Sequence, residues 1–326
     1  MRMKPLKRGS HIRVIAPSLS MGILSKEIIA ESLNRFADMG FTVSFGKNAF
    51  EIDEFDSSSV DSRIKDLHDA FIDDKVDGII TAIGGYNVNQ LLPYINFDLI
   101  KKNPKFFCGY SDITILLNAF YHKALLSTVY GPHFSTFGQK FIEEYEIDSF
   151  LQSAHGKSFV INPAKTWSND AWYTDQNNRN FLKNDGYWIL QKGNASGICV
   201  GGHLGSLLLL AGTTFMPSIK DKILIIEEDA DPANIKEFDR RLESLLQHPD
   251  ADSIKGILIG RFEKSYGMSR EILEKIIRSK KINSLIPIVA NIDFGHTEPH
   301  CSIPIGGTLL INVSSKNVRF VVKEWM

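Results

Sequence analysis

The chain has 326 residues, is 43% hydrophobic and 23% charged, and carries a formal net charge of -1, a balance typical of a globular protein large enough for two domains. The near-neutral charge excludes the basic surface of a nucleic-acid-binding protein, and no apolar run is long enough for a signal peptide or a membrane span. The 3 cysteines are widely spaced, which favours reduced, buried thiols. We therefore expect a cytoplasmic protein with no membrane or nucleic-acid partner and no cofactor.

Strand and helix signals alternate through the first half of the chain. Residues 12–17, 41–45 and 76–83 have the apolar content of strands, and residues 26–39 and 58–73 have apolar side chains at helical spacing. This alternation predicts an α/β domain built on a doubly wound, mostly parallel sheet. Ligands bind such sheets beyond the carboxyl ends of the strands. Turns that directly follow strands are therefore the best candidates for a functional site.

Two turns of this kind are rich in glycine. Gly84-Gly85 follows the third predicted strand, and Gly109-Tyr110-Ser111-Asp112 lies between an apolar run and a helix-like run. A serine at a sharp strand-to-helix turn faces the free amides of a helix N-terminus, which suits a nucleophile. On this motif alone, a helix cap formed by Ser111 or Asp112 is the commoner role. Ile113 stands where G-x-S-x-G has its second glycine, which disfavours an ordinary α/β-hydrolase.

The regular pattern fades between residues 166 and 188. This polar segment nevertheless contains Trp167, Trp172 and Tyr173, which a flexible linker would not normally carry. We expect an ordered loop, and contact with a ligand or packing between domains would explain its aromatic residues equally well. We expect this loop to begin a C-terminal domain over residues 166–326, after an N-terminal α/β domain over residues 1–165.

A group of acidic residues follows a strongly apolar strand in the C-terminal part. The predicted strand at residues 222–226 ends in Glu227, Glu228 and Asp229. An acid at the end of such a strand must be held by a partner, which makes Glu227 attractive as a site residue. Neighbouring strand residues point to opposite faces, so Glu227 and Glu228 cannot both face one cleft. The alternative is that all three acids are solvated loop residues with no role in a site.

A nucleophilic serine also needs a base, which works best when a carboxylate fixes its tautomer. Among 9 histidines, His296 follows a predicted strand, although a solvated surface histidine is the plain alternative there. His300 could form a metal-binding pair with His296, with Glu298 between them. Pro299 opposes a continuous helix in this stretch and no third ligand is evident, so we expect no metal site.

Several motifs occur together and in a fixed order along the chain. They are Gly84-Gly85-Tyr86, Pro104-Lys105, Gly109-Tyr110-Ser111-Asp112-Ile113-Thr114, Gly131-Pro132, Gly201-Gly202-His203-Leu204, Ile225-Ile226-Glu227 and Phe294-Gly295-His296-Thr297. In this combination the chain resembles the LD-carboxypeptidase family of serine peptidases, which includes the microcin C self-immunity proteins. The resemblance extends from about residue 12 to residue 321.

The resemblance implies a Ser–His–Glu triad. Carried across residue by residue, Ser111 is the nucleophile, His296 the general base and Glu227 the residue that orients it. The backbone N–H groups of Gly85 and Asp112 would form the oxyanion hole. The family also implies a C-terminal domain with a barrel-like sheet, an active site between the two domains, and a homodimer.

The substrate remains open at this stage, and so does the register of the orienting acid, which is either Glu227 or Glu228. Trp167 and Trp172 resemble the immunity-type branch, in which such residues stack on the nucleotide of an aminoacyl adenylate. His203 stands where the family often has asparagine, and the resemblance implies that it contacts the substrate. We expect hydrolysis of an amide bond in aminoacyl-nucleotide antibiotics or related small molecules. A murein LD-carboxypeptidase acting on tetrapeptides and a non-catalytic ligand-binding protein are the alternatives.

Overall fold

The computed structural model describes residues 4–230, 234–315, 317–323 and 325. Within these residues the strands are β1 His11–Ile15, β2 Thr42–Phe45, β3 Gly78–Thr81, β4 Phe106–Gly109, β5 Thr128–Tyr130, β6 Phe159–Ile161, β7 Thr166–Trp167, β8 Leu182–Lys183, β9 Trp188–Gln191, β10 Gly193–His203, β11 Lys222–Glu227, β12 Gly256–Gly260, β13 Ile288–Ile292, β14 Ile303–Ile305, β15 Thr308–Val313 and β16 Val318–Val322. The α-helices are α1 Lys26–Asp38, α2 Val60–Ile72, α3 Phe97–Lys102, α4 Thr114–Ala119, α5 Glu144–Ala154, α6 Leu204–Leu208, α7 Ile235–Leu246 and α8 Arg270–Ser279.

The N-terminal sheet is mostly parallel. Its strand order is β14-β5-β4-β3-β1-β2, and only the edge strand β14 runs antiparallel to its neighbour. Every residue of β3 and β4 is buried, as expected for central strands covered by helices on both faces. The predicted α/β class with a mostly parallel N-terminal sheet is confirmed. The strand order reverses between β1 and β3, so the carboxyl ends of these strands border a crevice.

Two helices of this half begin after serine caps and bury one face. The hydroxyl of Ser25 caps α1 by accepting a hydrogen bond from the N–H of Ile28, and the helix buries Ile28, Ser32 and Phe36. Ser59 caps α2 in the same way. None of the helices in the described part of the chain has the length and apolar character that a membrane span requires.

The C-terminal sheet is mixed and open. Its strand order is β6-β16-β15-β10-β11-β12-β13-β9, with four parallel strands from β10 to β13 at its centre. Among the described residues, β6 pairs only with β16 and β9 only with β13, so the two edges do not meet. The predicted barrel-like sheet is therefore not confirmed, because closure would require a ladder between β6 and β9.

Two short strands cross the boundary that we predicted at residue 165. β6 precedes that boundary but extends the C-terminal sheet beside β16, and β14 follows it but extends the N-terminal sheet beside β5. The division into residues 1–165 and 166–326 stays a prediction. The exchange of strands means that each sheet takes one edge from the other part of the chain, which ties the two sheets together near the site.

Candidate active site

Ser111 lies at a strained turn directly after β4. Its φ of 58° is in the left-handed region, which a residue with a side chain rarely adopts. Ser111 opens a short 3₁₀ turn that leads into α4, and the N-cap residues of these two segments, Tyr110 and Ile113, make no side-chain capping bond in the described structure. The capping role that the motif alone favoured is thus absent. The Ser111 hydroxyl instead lies 3.1 Å from Nε2 of His296.

His296 follows β13 and is largely covered, with 19% of its side chain exposed. Its Nδ1 lies 2.8 Å from Oε2 of Glu227, while its Nε2 faces Ser111. The ring also packs edge-on against Tyr110, the residue before Ser111, with centroids 5.4 Å apart. His296 is therefore not the solvated surface histidine that the sequence also allowed, because residues from both sheets surround its ring.

Glu227 ends β11 and its side chain is 0% exposed. Besides the contact with His296, its Oε1 accepts a hydrogen bond from the hydroxyl of Tyr130 at 2.5 Å. The neighbouring Glu228 points away and receives a hydrogen bond from Nη1 of Arg241 at 2.5 Å. The opposite directions of adjacent strand residues therefore place Glu227, and not Glu228, against His296.

The ionisation of Glu227 and His296 is coupled. Burial alone would raise the pKa of Glu227, but the charge of His296 and its hydrogen bond outweigh burial and lower the pKa to about 2. Burial alone would lower the pKa of His296, but the Glu227 carboxylate outweighs it and raises the pKa above the ordinary value. The pair is thus built to keep the carboxylate ionised and to stabilise a protonated imidazole.

The backbone around Ser111 offers amide donors. Gly85, with a φ of 149°, and Asp112 each carry an N–H that donates no hydrogen bond within the described part of the chain. A Cβ on Gly84 would lie 3.1 Å from the Ser111 hydroxyl oxygen, so this glycine lets the loop after β3 approach the nucleophile closely. The carboxylate of Asp112 is buried and points back into the fold, where it accepts a hydrogen bond from Ser18.

His203 lies at the end of β10 beside the same cleft. Its Nδ1 caps α6 by accepting from the N–H of Ser206, and its Nε2 is 3.2 Å from Oδ1 of Asp229. The ring centroids of His203 and His296 are 5.5 Å apart. Ligand atoms of His203, Glu228 and Asp229 all lie within 4.8 Å of one another and could hold a metal ion. The guanidinium of Arg241 occupies one oxygen of Glu228 and opposes a cation there.

Several groups that the sequence did not identify surround these residues. Tyr130, at the end of β5, bonds Glu227, and its place directly before Gly131-Pro132 was the available signal in the sequence. His133 is 2% exposed, and its Nδ1 lies 2.8 Å from the Thr81 hydroxyl. Its Nε2 is buried beside Gly84 and has no hydrogen-bond partner among the described residues. The rings of His133 and His300 pack on Tyr110, with centroids 4.2 and 4.6 Å away.

The aromatic segment, residues 166–188, lies beside His296 through Glu298. Ser168 pairs with Glu298 in an isolated β-bridge. Burial raises the pKa of Glu298 to about 8, and Arg179 and the side chain of Trp172 oppose the rise. The ring of Trp167 is covered by the guanidinium of Arg261, 4.9 Å from its centroid. The two tryptophans are both half-buried but have different neighbours. Trp167 contacts Arg261, directly after β12, whereas the side chain of Trp172 bonds Glu298.

Comparisons with known proteins find similarity to one group of proteins over nearly the whole chain. The models of the LD-carboxypeptidase N-terminal domain and the LD-carboxypeptidase C-terminal domain match residues 12–131 and 196–311, which is more than half of the chain. A protein of Treponema pallidum (strain Nichols), named as a candidate carboxypeptidase, is 47% identical over 95% of this chain and 92% of its own length. The microcin C7 self-immunity protein MccF of Escherichia coli is 26% identical over 96% of this chain and 94% of its own length.

Solved structures show the same likeness. An MccF-like protein from Bacillus anthracis str. Ames superimposes with a TM-score of 0.97 at 46% identity, over 99% of both chains. MccF in complex with aspartyl sulfamoyl adenosine superimposes with a TM-score of 0.88 at 25% identity, over 99% of this chain and 98% of that chain. With both family domains matched and the fold shared from end to end, the chain belongs to the LD-carboxypeptidase family of serine peptidases.

Proposed function

We propose that this peptidase hydrolyses an amide bond with Ser111 as nucleophile, His296 as general base and Glu227 as the residue that orients the histidine. The observation that carries the proposal is the unbroken line of contacts from the Ser111 hydroxyl through both ring nitrogens of His296 to the buried Glu227 carboxylate, at 3.1 and 2.8 Å. This is the arrangement by which a hydroxyl of high pKa becomes a usable nucleophile near neutral pH.

In the first half of the reaction Nε2 of His296 takes the proton of Ser111 while the hydroxyl oxygen attacks the substrate carbonyl carbon. The oxyanion that forms would be met by the N–H groups of Gly85 and Asp112, each of which is typically worth about 3 kcal/mol in such sites. The imidazolium then gives its proton to the leaving nitrogen as the C–N bond breaks. Water completes the cycle by the same steps, with His296 again the base, and releases a carboxylic acid and free Ser111.

For the substrate, we propose an aminoacyl nucleotide or a related small molecule. Two observations support this choice. MccF, to which this chain is similar over nearly its full length, has been solved with aspartyl sulfamoyl adenosine bound. The aromatic segment also lies against Glu298, two residues from His296, and offers Trp172 as a flat surface for a purine ring. His203 and Trp167 complete the proposed set of substrate contacts.

The main alternative is a murein peptide carboxypeptidase. A Bacillus subtilis (strain 168) protein named as a probable murein peptide carboxypeptidase is 29% identical over 96% of this chain and 92% of its own length. A non-catalytic binding protein would keep the cleft without using Ser111. The strained φ of Ser111 opposes this second alternative, because such strain persists where a function requires the geometry.

The proposal is tested first without a choice of substrate. A fluorophosphonate should label wild-type protein at Ser111, as read by peptide mass spectrometry, and His296→Ala should abolish the labelling. Turnover of an aminoacyl sulfamoyl adenosine and of a murein tetrapeptide then decides the substrate class. Labelling that survives in Ser111→Ala, or is unaffected in His296→Ala, contradicts the mechanism.

We also propose a cytoplasmic homodimer. The three cysteines are unpaired and buried in the described structure, as suits a reducing compartment. Sedimentation analysis of the purified protein gives the oligomeric state, and fractionation of cells gives the compartment. A monomer across the micromolar range contradicts the dimer.

A further inference from the structure

One carboxylate oxygen joins three loops behind the nucleophile. Oδ2 of Asp112 accepts a hydrogen bond from the Ser18 hydroxyl at 2.7 Å and another from the N–H of Val88 at 2.9 Å. Ser18 follows β1, Val88 follows β3 and Asp112 follows β4, which are neighbours in the N-terminal sheet. Ser18 is 0% exposed and Asp112 2% exposed. The proposed proton transfers make no use of either side chain.

The loop that carries Gly85 is held near both of its ends by these contacts. At the start, the carbonyl of Gly84 accepts a hydrogen bond from the N–H of Leu19 at 3.1 Å. At the end, the N–H of Val88 donates to Asp112. Between them, a Cβ on Gly85 would lie 2.3 Å from the Ser18 hydroxyl oxygen, so Ser18 packs directly on the Gly85 backbone.

We propose that Ser18 and the Asp112 side chain are positioning residues that hold the two oxyanion donors, the amides of Gly85 and Asp112, at a fixed separation. The inference rests on the proposed function, which assigns those amides. The two donors belong to different loops, so the backbone of neither loop alone sets the distance between them. An oxyanion hole works because its donors need no reorganisation as charge develops. A hydrogen bond from a hydroxyl to a buried carboxylate is strong enough to keep the two amides at a fixed separation.

A second network of hydrogen bonds supports the contact between Ser18 and Asp112. The Ser57 hydroxyl donates to the carbonyl of Ser18 at 2.6 Å, and Nδ2 of Asn87 donates to the Ser57 hydroxyl oxygen at 3.0 Å. Nη1 of Arg63, on α2, donates to Oδ1 of Asn87 at 3.0 Å. The loops after β1 and β3 are therefore crosslinked by buried polar contacts, and Asp112 adds the loop that bears Ser111.

The test compares Ser18→Ala with Ser32→Ala. Ser32 is also 0% exposed, and its hydroxyl lies 2.8 and 2.9 Å from the backbone carbonyls of Ile28 and Phe134, with no hydrogen bond to residues 84–88 in the described part of the chain. Ser18→Ala should lower kcat by about tenfold or more, with KM within about twofold, because the lost tie acts only as the oxyanion forms. Phosphonylation of Ser111 should slow by a similar factor, and amide hydrogen exchange over residues 84–88 should quicken. Ser32→Ala should leave all three unchanged.

Substitutions of Asp112 distinguish the effect of its hydrogen bonds from the effect of its negative charge. The amide oxygen of Asp112→Asn can accept from both Ser18 and Val88, so this variant should retain at least about tenfold more kcat than Asp112→Ala. Equal losses in the two variants would overturn the inference in favour of a role for the negative charge. Unchanged exchange over residues 84–88 in Ser18→Ala would overturn it outright. Failure of wild-type protein to label at Ser111 contradicts the proposed function instead, and exchange still reports the tie.

Discussion

The proposed catalytic residues and the aromatic segment are built in opposite ways. Ser111, Glu227 and His296 each follow or end a strand of a large sheet, and Glu227 is 1% exposed. Before β9 begins at Trp188, the aromatic segment contains only the two-residue strands β7 and β8, and its Tyr173 is 67% exposed. Under the proposed function, the sheets would support the chemistry, whereas a surface segment would recognise the substrate.

The largest effect should come from the strand-end residues. We expect Ser111→Ala and His296→Ala each to lower kcat by about 10⁴-fold or more, since neither residue can activate the reaction alone. The double variant should be hardly slower than either single variant, as measured by single-turnover kinetics. If kcat of the double variant were far below that of both single variants, the two side chains would act independently. The strand-end residues would then not form one catalytic unit.

The two variants should differ in stability although they agree in rate. Ser111→Ala removes one hydroxyl and should change the free energy of unfolding by less than about 1.5 kcal/mol. His296→Ala leaves the Glu227 carboxylate buried with Tyr130 as its remaining hydrogen-bond donor, and an uncompensated buried charge is strongly destabilising. Urea unfolding at neutral pH measures the difference. Equal stabilities would show that water reaches Glu227 once the imidazole is gone.

The next largest effect concerns the register of the acids. Glu227→Gln should lower kcat/KM by about 10³ to 10⁴-fold, because it no longer fixes the tautomer of His296. Glu228→Gln should cost much less, since Glu228 contacts Arg241 on the opposite face. Assay of both variants on one substrate measures the ranking. The reverse ranking would transfer the orienting role to Glu228.

The pH profile sharpens the same comparison. His296 must be neutral to accept a proton, so kcat/KM should rise with pH through the pKa of this histidine. Glu227 raises that pKa. Removal of its charge in Glu227→Gln should therefore move the rising limb to lower pH, while Glu228→Gln should leave the limb nearer its wild-type position. A limb unmoved in Glu227→Gln would show that the histidine and the acid are not coupled.

The same contrast explains what the sequence could predict. Alternating strands and helices with glycine-rich turns were enough for the parallel N-terminal sheet, and strand alternation correctly separated the directions of Glu227 and Glu228. The meeting of Ser111 and His296, 185 positions apart, could be expected only from the family resemblance. The open C-terminal sheet was missed, because pairing of strands such as β6 and β16 depends on contacts far apart in the chain.

A smaller effect should separate the two tryptophans. Trp172→Ala should raise KM for an aminoacyl-nucleotide substrate by about tenfold and leave a murein tetrapeptide nearly unaffected, because stacking of a base on an aromatic ring contributes roughly 1–3 kcal/mol. Steady-state kinetics on both substrates measure this. Equal losses on both would indicate packing between the sheets, and cleavage of murein tetrapeptides alone would contradict the aminoacyl-nucleotide proposal.

Trp167, the other tryptophan among the proposed substrate contacts, is compared in the same experiment. Its ring covers Arg261, which forms a buried ion pair with Asp293 at 2.6 Å. Trp167→Ala should therefore lower the free energy of unfolding and weaken the cleavage of both substrates through the segment it supports, with the greater loss on the aminoacyl nucleotide. Equal losses on both substrates in this variant would leave stacking to Trp172 alone.

The smallest effect should come from His203, which ends β10 and lies beside His296. Asparagine at this position can still cap α6 by accepting from the N–H of Ser206, so His203→Asn should leave the free energy of unfolding nearly unchanged. His203→Ala loses that cap and should be destabilised by about 0.5–2 kcal/mol. In His203→Asn we expect KM to change by less than about tenfold and kcat to hold, as for the loss of one substrate hydrogen bond. A fall in kcat of a hundredfold would instead make His203 part of the proton chemistry around His296, whose ring centroid is 5.5 Å away.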